Sequence, residues 1–379
     1  MAKEKPLDFL ILGPAHPYRG GIASTQHALA KSLISHDYQV SLWTFTHLYP
    51  GVLFPGKTQF STEDSPKDIT IERSIHAYHP FQWKQVAEAI NELQPKFVVF
   101  RYWTPFLSPC WSSIAKYLSP KITKIGWVDN WHPHEPKPLD RILTGRFEKA
   151  MDCFTTLSAA VACQIEKNSQ KRVWGKMHPI ERGLPPQISK EKAREKLGIN
   201  ESQTVLLFFG LIRAYKGLDL LLKAFKDHPE KHLLIVGECY EKWRKYQHII
   251  DQYNIEKQLT VINRYVSMEE AASYFSAADA TVLPYITATQ SGVLALAYHF
   301  ETPLVVTNHP GLSQCIEEDE TGVVCKPEIN ALSSALTKVT KPSANRNFKV
   351  NLNRTKTNYS WANYAQEWAK FIFDESNEN

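Results

Sequence analysis

Two cations in one short loop are the strongest chemical signal in this chain. Arg213 and Lys216 lie in FGLIRAYKGLDLLLKAF, which follows the apolar run Thr204–Phe209 and leads into a helical pattern. A second stretch, LPYITATQSGVLALAYHFETPLVVTNHPG, runs from Leu283 to Gly311. In it Gln290, Ser291, Gly292 and Val293 open a helix directly after a strand end, with Ser291 placed as N-cap and Gly292 allowing close backbone approach. Backbone N–H groups at a helix start, together with two cations, suit a diphosphate. A nucleotide-linked substrate is the expectation, with Arg213 and Lys216 neutralising its phosphates. The bland alternative is two solvated cations beside an ordinary capped helix.

Three further places carry chemistry. Gly20-Gly21 follows the first apolar run and opens the first helix, with Arg19 beside it. It departs from GxGxxG, so no dinucleotide fingerprint is present. It reads either as a simple turn or as a loop across which an acceptor lies. Asp129-Asn130-Trp131-His132-Pro133-His134-Glu135 follows a strand ending at Val128, where open α/β sheets place ligands. Its two histidines and two carboxylates match no standard metal-ligand spacing, so no metal is expected. Glu238, after Gly237, is placed to hold a sugar or ribose hydroxyl, or to act as a plain loop acid.

These residues need strands to end in the right places. Apolar runs at Leu7–Leu12, Gln39–Phe45, Lys96–Arg101, Thr123–Val128 and Cys153–Leu157 alternate with helical patterns at Ile22–Ile34, Gln82–Leu93, Cys110–Leu118, Leu139–Ala150 and Ala159–Lys167. Gly183-Leu184-Pro185-Pro186 breaks the pattern. Alternation resumes with strands at Thr204–Phe209, His232–Val236, Leu259–Asn263, Ala280–Leu283, Leu304–Thr307 and Val323–Cys325. Helices are expected at Lys216–Lys226, Glu241–Asp251, Met268–Ala277, Gly292–Phe300 and Ala331–Val339. The fold class is therefore α/β, with two doubly wound, Rossmann-like parallel-sheet domains facing a cleft. The expected domains are residues 1–182 and 183–358, and a polar stretch Lys341–Asn358 crosses between them. A last helix carrying Trp361, Tyr364, Trp368 and Ile372, within 359–375, returns to the first domain or caps the second.

Composition narrows the class. At 379 residues the chain exceeds what one core usually carries. A net charge of +5 is compatible with an anionic substrate or an acidic membrane surface, and too small to argue for nucleic acid. The six cysteines form no CxxC pair, which points to core thiols in a reducing, cytoplasmic setting. No run approaches the roughly 18 apolar residues that a membrane span needs.

With these motifs the chain resembles a retaining glycosyltransferase of the GT-B fold, close to glycosyltransferase family four (glycosyl transferases group 1). FGLIRAYKGLDLLLKAF matches that family's donor signature, QSGVLALAYHFETPLVVT its sugar- and ribose-reading segment, and Gly20-Gly21 its acceptor-side loop. DNWHPHE resembles a sub-branch with Pro-His-Glu. The resemblance implies transfer of a hexose from a nucleoside diphosphate sugar to an acceptor hydroxyl on a glycan or lipid-linked saccharide, without a metal or other cofactor. Arg213 and Lys216 would then be catalytic diphosphate ligands. Asp129 is the nearest match to a family histidine beside the reacting sugar. Gly20, Gly21, Asn130, His134, Glu135, Glu238, Gln290, Ser291, Gly292 and Val293 would contact substrates. Two family glutamates are replaced here by Thr289 and Ala297. Two rivals stand beside this reading. One is a nucleotide-sugar epimerase using His134, Glu135 and Glu238; the other is a non-catalytic nucleotide-sugar-binding subunit.

Overall fold

The structure is a computed structural model that describes residues 6–49, 60–61, 64–132, 137–181, 183–288 and 291–378. Its contacts divide the chain into two compact units, Met1–Lys176 with Trp361–Asn379, and Met177–Ser360.

The first unit alternates strand and helix: β1 Phe9–Leu12, α1 Gly21–Ile34, β2 Val40–His47, β3 Thr70–His76, α2 Pro80–Leu93, β4 Phe97–Tyr102, α3 Ser108–Tyr117, β5 Thr123–Val128, α4 Asp140–Ala150, β6 Cys153–Thr156, α5 Ala159–Glu166 and β7 Val173–Gly175. The strands pair in parallel in the order β3-β2-β1-β4-β5-β6-β7. Helices cover both faces, so the central strands are buried throughout: every residue of FLIL and FVVFRY is buried, with Arg101 the one charged residue among them. The order reverses between β1 and β4, the switch point where such sheets take ligands.

The second unit repeats the plan: α6 Lys190–Leu197, β8 Thr204–Phe209, α7 Leu218–Phe225, β9 Lys231–Val236, α8 Arg244–Tyr253, β10 Leu259–Ile262, α9 Met268–Ala277, β11 Ala280–Leu283, α10 Gly292–His299, β12 Leu304–Thr307, α11 Pro310–Asp319, β13 Gly322–Cys325, α12 Ile329–Thr340 and α13 Pro342–Thr355. The parallel order is β10-β9-β8-β11-β12-β13, with the switch between β8 and β11. Leu218, Leu221, Leu222 and Phe225 recur at helical spacing and bury α7 against this sheet.

Several local expectations change. Residues 341–358 are not an extended crossing. Pro342 starts α13, Leu352 enters the core, and Asn345 donates to the carbonyls of Asp279 and Val339. Lys216 does not open α7. It ends a single 3-10 turn, Ala214–Lys216, and Gly217 then breaks the backbone before the helix starts. Strands β3 and β7 and helix α11 are additional elements. The final helix, α14 Trp361–Glu378, places Trp361, Tyr364, Trp368 and Ile372 in one core with Phe9, Ile11, Leu29 and Trp127.

Candidate active site

In the second unit, the loops after β8 and β11 meet at the switch point. Gly217 has φ 69°, and a Cβ there would lie 2.0 Å from the Pro284 carbonyl oxygen, so only glycine permits this approach. The Ile286 N–H donates to the Tyr215 carbonyl at 2.7 Å, and Tyr215 meets the Tyr285 ring edge-on. These contacts fix the turn that carries Lys216.

The Lys216 side chain is 9% exposed. Its ammonium lies 5.1 Å from the Tyr285 ring centre and forms no ion pair or hydrogen bond with any described residue. Burial pushes its pKa down; the Tyr215 hydroxyl opposes that shift, and Arg213 adds to it. A Cβ on Gly210 would sit 3.2 Å from Lys216 Nζ and 3.3 Å from Val293 Cγ2. Lysine and the start of α10 therefore converge on the end of β8. Ser291 is the N-cap of α10 by position, but its hydroxyl bonds the Tyr285 hydroxyl at 3.0 Å and caps nothing. Leu294 N–H closes onto the Ser291 carbonyl at 3.1 Å, and the N–H groups of exposed Gly292 and of Val293 have no partner among the described residues. Burial raises the Tyr285 hydroxyl to about 12, so it stays neutral.

Arg213 is exposed and extends over the Tyr240 ring at 5.0 Å. The Tyr240 hydroxyl reaches Glu238 Oε2 at 3.3 Å, and Ile212 pairs with the loop after β9. Glu241 accepts from Ala214 N–H at 2.6 Å and from the Tyr246 hydroxyl at 2.8 Å. Tyr240, Glu241 and Tyr285 thus support the site, and sequence reasoning missed all three; only their position just past strand ends marked them. Ala297 is fully buried in α10 and offers no polar group. Gln290 and Thr289 lie outside the described residues.

In the first unit, Asp129 is not a free acid. Both carboxylate oxygens accept from Arg101, at 2.7 Å from Nε and 2.5 Å from Nη2, and both residues are buried. Arg101 also donates to Thr25 Oγ1 at 3.1 Å and stacks 3.6 Å over Trp127. An aspartate held this way positions the backbone that follows it. Asn130 follows it, half-buried. His134 and Glu135 lie outside the described residues.

Gly20 is the N-cap of α1 with φ 112°, whereas Gly21 is the first helical residue. The need for glycine therefore rests on Gly20. Both line a cavity of about 280 Å3 with Pro14, Tyr18, Arg19, Leu48, Tyr49 and Trp103. Trp103 Nε1 donates to the Tyr49 hydroxyl at 2.8 Å, so these two lining side chains satisfy each other. Among the described residues, no trio of His, Cys, Asp or Glu is placed to hold a metal ion.

Comparison with known proteins bears on the fold. Residues 189–358 match the sequence model of the family Glycosyl transferases group 1. An uncharacterized glycosyltransferase of Methanocaldococcus jannaschii is 25% identical over 182 residues, 46% of this chain and 46% of the relative. A D-inositol 3-phosphate glycosyltransferase of Paenarthrobacter aurescens is 30% identical over 142 residues, 36% of this chain and 35% of its own. The matches thus span about half or less of these relatives. Among solved structures, sucrose-phosphate synthase of Thermosynechococcus elongatus superposes with TM-score 0.73 at 16% identity, covering 98% of this chain and 100% of its own. An Anabaena protein in complex with UDP gives 0.72 at 13%, covering 97% and 100%. At such identities the likeness speaks for the fold, and the fold is that of GT-B glycosyltransferases. The similarity to the family Glycosyl transferases group 1 lies in the second unit.

Proposed function

We propose that this chain is a retaining glycosyltransferase that moves a hexose from a nucleoside diphosphate sugar to an acceptor hydroxyl on a saccharide or lipid-linked saccharide. The observation that carries the reading is Lys216, a nearly buried ammonium with no anion among the described residues, held beside the uncapped start of α10. A buried charge without a partner is costly. A diphosphate would supply the missing charge, with Arg213 as its second cation. The Anabaena neighbour bound to UDP fits a donor of this kind.

Catalysis then rests on positioning and on neutralising the leaving diphosphate. The two cations take the part that a metal ion takes in other transferases. The acceptor would enter from the first unit, at the Gly20–Gly21 loop and its aromatic cavity. Asn130, Glu238, Ser291, Gly292 and Val293 are kept as substrate contacts, and Asp129 as the ion-paired support of its loop. All six cysteines are free thiols, which suits work in the reducing cytoplasm. Nothing among the described residues favours an epimerase or a non-catalytic subunit.

The experiment is a thermal-shift panel of nucleoside diphosphates and their sugars, followed by donor hydrolysis with excess EDTA. Stabilisation by one diphosphate series, lost in Lys216→Met, supports the reading, as does EDTA-resistant hydrolysis. A metal-dependent turnover, or a free interconversion of sugar nucleotides, would overturn it.

A further inference from the structure

One face of α4 is built for something other than the fold. Leu139, Ile142, Arg146 and Lys149 follow at i, i+3, i+7 and i+10, a single stripe along this helix and the turn before it. Leu139 is 64% exposed and Ile142 68% exposed, while the two cations and the flanking Lys137 and Arg141 are also exposed. None of the four cations forms an ion pair with a described residue. Arg146 reaches only the Ser113 hydroxyl on α3, at 3.4 Å, next to exposed Lys116 and Tyr117.

The acids of the helix point elsewhere. Asp140 accepts from the Lys137 N–H at 2.7 Å, and Glu148 accepts from the Ser169 hydroxyl at 2.7 Å. The opposite face is fixed: Thr144 bonds the Tyr102 hydroxyl at 3.0 Å, and Phe147 stacks on Tyr102 at 4.1 Å. The stripe is therefore fixed in place, apolar at its N-terminal end and cationic beyond it, with no acid within it.

We propose that this face docks on an anionic bilayer surface, with Leu139 and Ile142 entering the headgroup boundary and the four cations pairing with lipid phosphates. Charge complementarity chooses this occupant. A polar acidic partner would leave two aliphatic side chains desolvated against nothing apolar, whereas a bilayer interface accepts both kinds of group at one depth. This goes beyond the transferase reading and does not need it. If both hold, the first unit would meet acceptors that reside in the membrane.

The test is co-sedimentation of the full chain with phosphatidylcholine vesicles, with and without phosphatidylglycerol, at low and high salt. Sedimentation should require phosphatidylglycerol and weaken with salt. Arg141→Gln with Lys149→Gln should lower the partition coefficient by about thirtyfold, from the usual value of a cation near an anionic surface. Leu139→Ser with Ile142→Ser should abolish whatever binding survives high salt. All four positions are solvent-facing, so the melting temperature should not move, and unchanged melting keeps the comparison valid. Absence of sedimentation, equal sedimentation with neutral vesicles, or wild-type behaviour of both double variants would each overturn the proposal. Donor hydrolysis without vesicles reports the transferase reading separately.

Discussion

The two sheets of this protein share a plan and use their switch points in opposite ways. In the first unit, a Cβ on Gly13 after β1 would lie 2.5 Å from Gln26 Oε1 and 2.7 Å from Arg101 Cβ. The buried cation there, Arg101, is neutralised by Asp129 and covered by Trp127. In the second unit, Gly210 after β8 faces Lys216 Nζ, and that buried cation has no described anion. One switch point has its charge satisfied from within. The other leaves charge unsatisfied, and that is the property a ligand site needs. Burial of a cation is thus no guide to function by itself; what counts is whether the fold supplies its counter-ion.

The largest effect should come from breaking the satisfied pair. Arg101→Met leaves Asp129 buried without its cation and frees the loop after β5. The cost should be about 3–5 kcal/mol, seen as early melting of the first unit in differential scanning calorimetry. Nucleoside diphosphate affinity, housed in the second unit, should stay unchanged. An equally large loss of that affinity would mean that the pair is part of the donor site and would erase the contrast.

Lys216→Met reverses the pattern. Loss of a charge-assisted contact should weaken diphosphate binding by roughly 1.5–3 kcal/mol, measured by titration calorimetry. The second unit should melt no earlier and, free of an unpaired buried ammonium, even later. Early melting with unchanged affinity would make Lys216 a structural residue like Arg101.

The two glycines at the start of α1 carry the argument to a smaller scale. Gly20 holds φ 112° and ψ 172°, a region open to glycine alone, though nothing would touch its Cβ. Gly20→Ala should therefore cost about 1–3 kcal/mol through strain, without a clash. Gly21→Ala, at a helical position, should be neutral or stabilising by up to about 1 kcal/mol. Both can be read from melting of the first unit, and acceptor KM should follow Gly20 only. Equal effects would show that space, not backbone conformation, governs this loop.

How far the sequence foretold this depended on whether a feature was local. Strands buried on both faces were plain: Thr123–Val128 and Thr204–Phe209 end where their apolar runs end. The edge strands β3 and β7 were not, because TIERSIH buries only Ile75 fully and VWG is half-buried, so neither carries a continuous apolar run. Helix α13 was hidden by its polarity: Leu352 and Thr355 are its buried residues, against a polar PSANRNFK start. The loop of Arg213 and Lys216 announced itself through charge beside apolar runs. The Arg101–Asp129 pair could not, since 28 residues separate partners that only strand order brings together. Asp129 taken alone offered only its match to a family histidine beside the reacting sugar. The role of Tyr285 was likewise invisible, because its hydroxyl and ring matter only after β11 is laid beside β8.

The subtlest test concerns proton occupancy. Burial lowers the Lys216 pKa below the ordinary lysine value, with Tyr215 opposing and Arg213 reinforcing the shift. The unfolded chain therefore holds this proton to higher pH than the empty site does. The sign for stability follows: on this lysine's account, the second unit gains stability as pH rises through the depressed value towards the unfolded one. Binding has the opposite sign, because a diphosphate needs the ammonium. Its affinity should fall as pH rises, and the fall should begin below the range of a free lysine. Diphosphate binding at alkaline pH should also take up a proton, which calorimetry in buffers of different ionisation enthalpy detects. Lys216→Arg keeps its charge throughout that range. It should move the alkaline fall upward and remove the proton uptake, even if its bulkier head weakens binding at neutral pH. Arg101, already paired, should contribute nothing to this limb, so Arg101→Lys should leave it in place. An alkaline limb that persists unaltered in Lys216→Arg would assign the titration to another group and leave Lys216 with no special claim over its counterpart in the first unit.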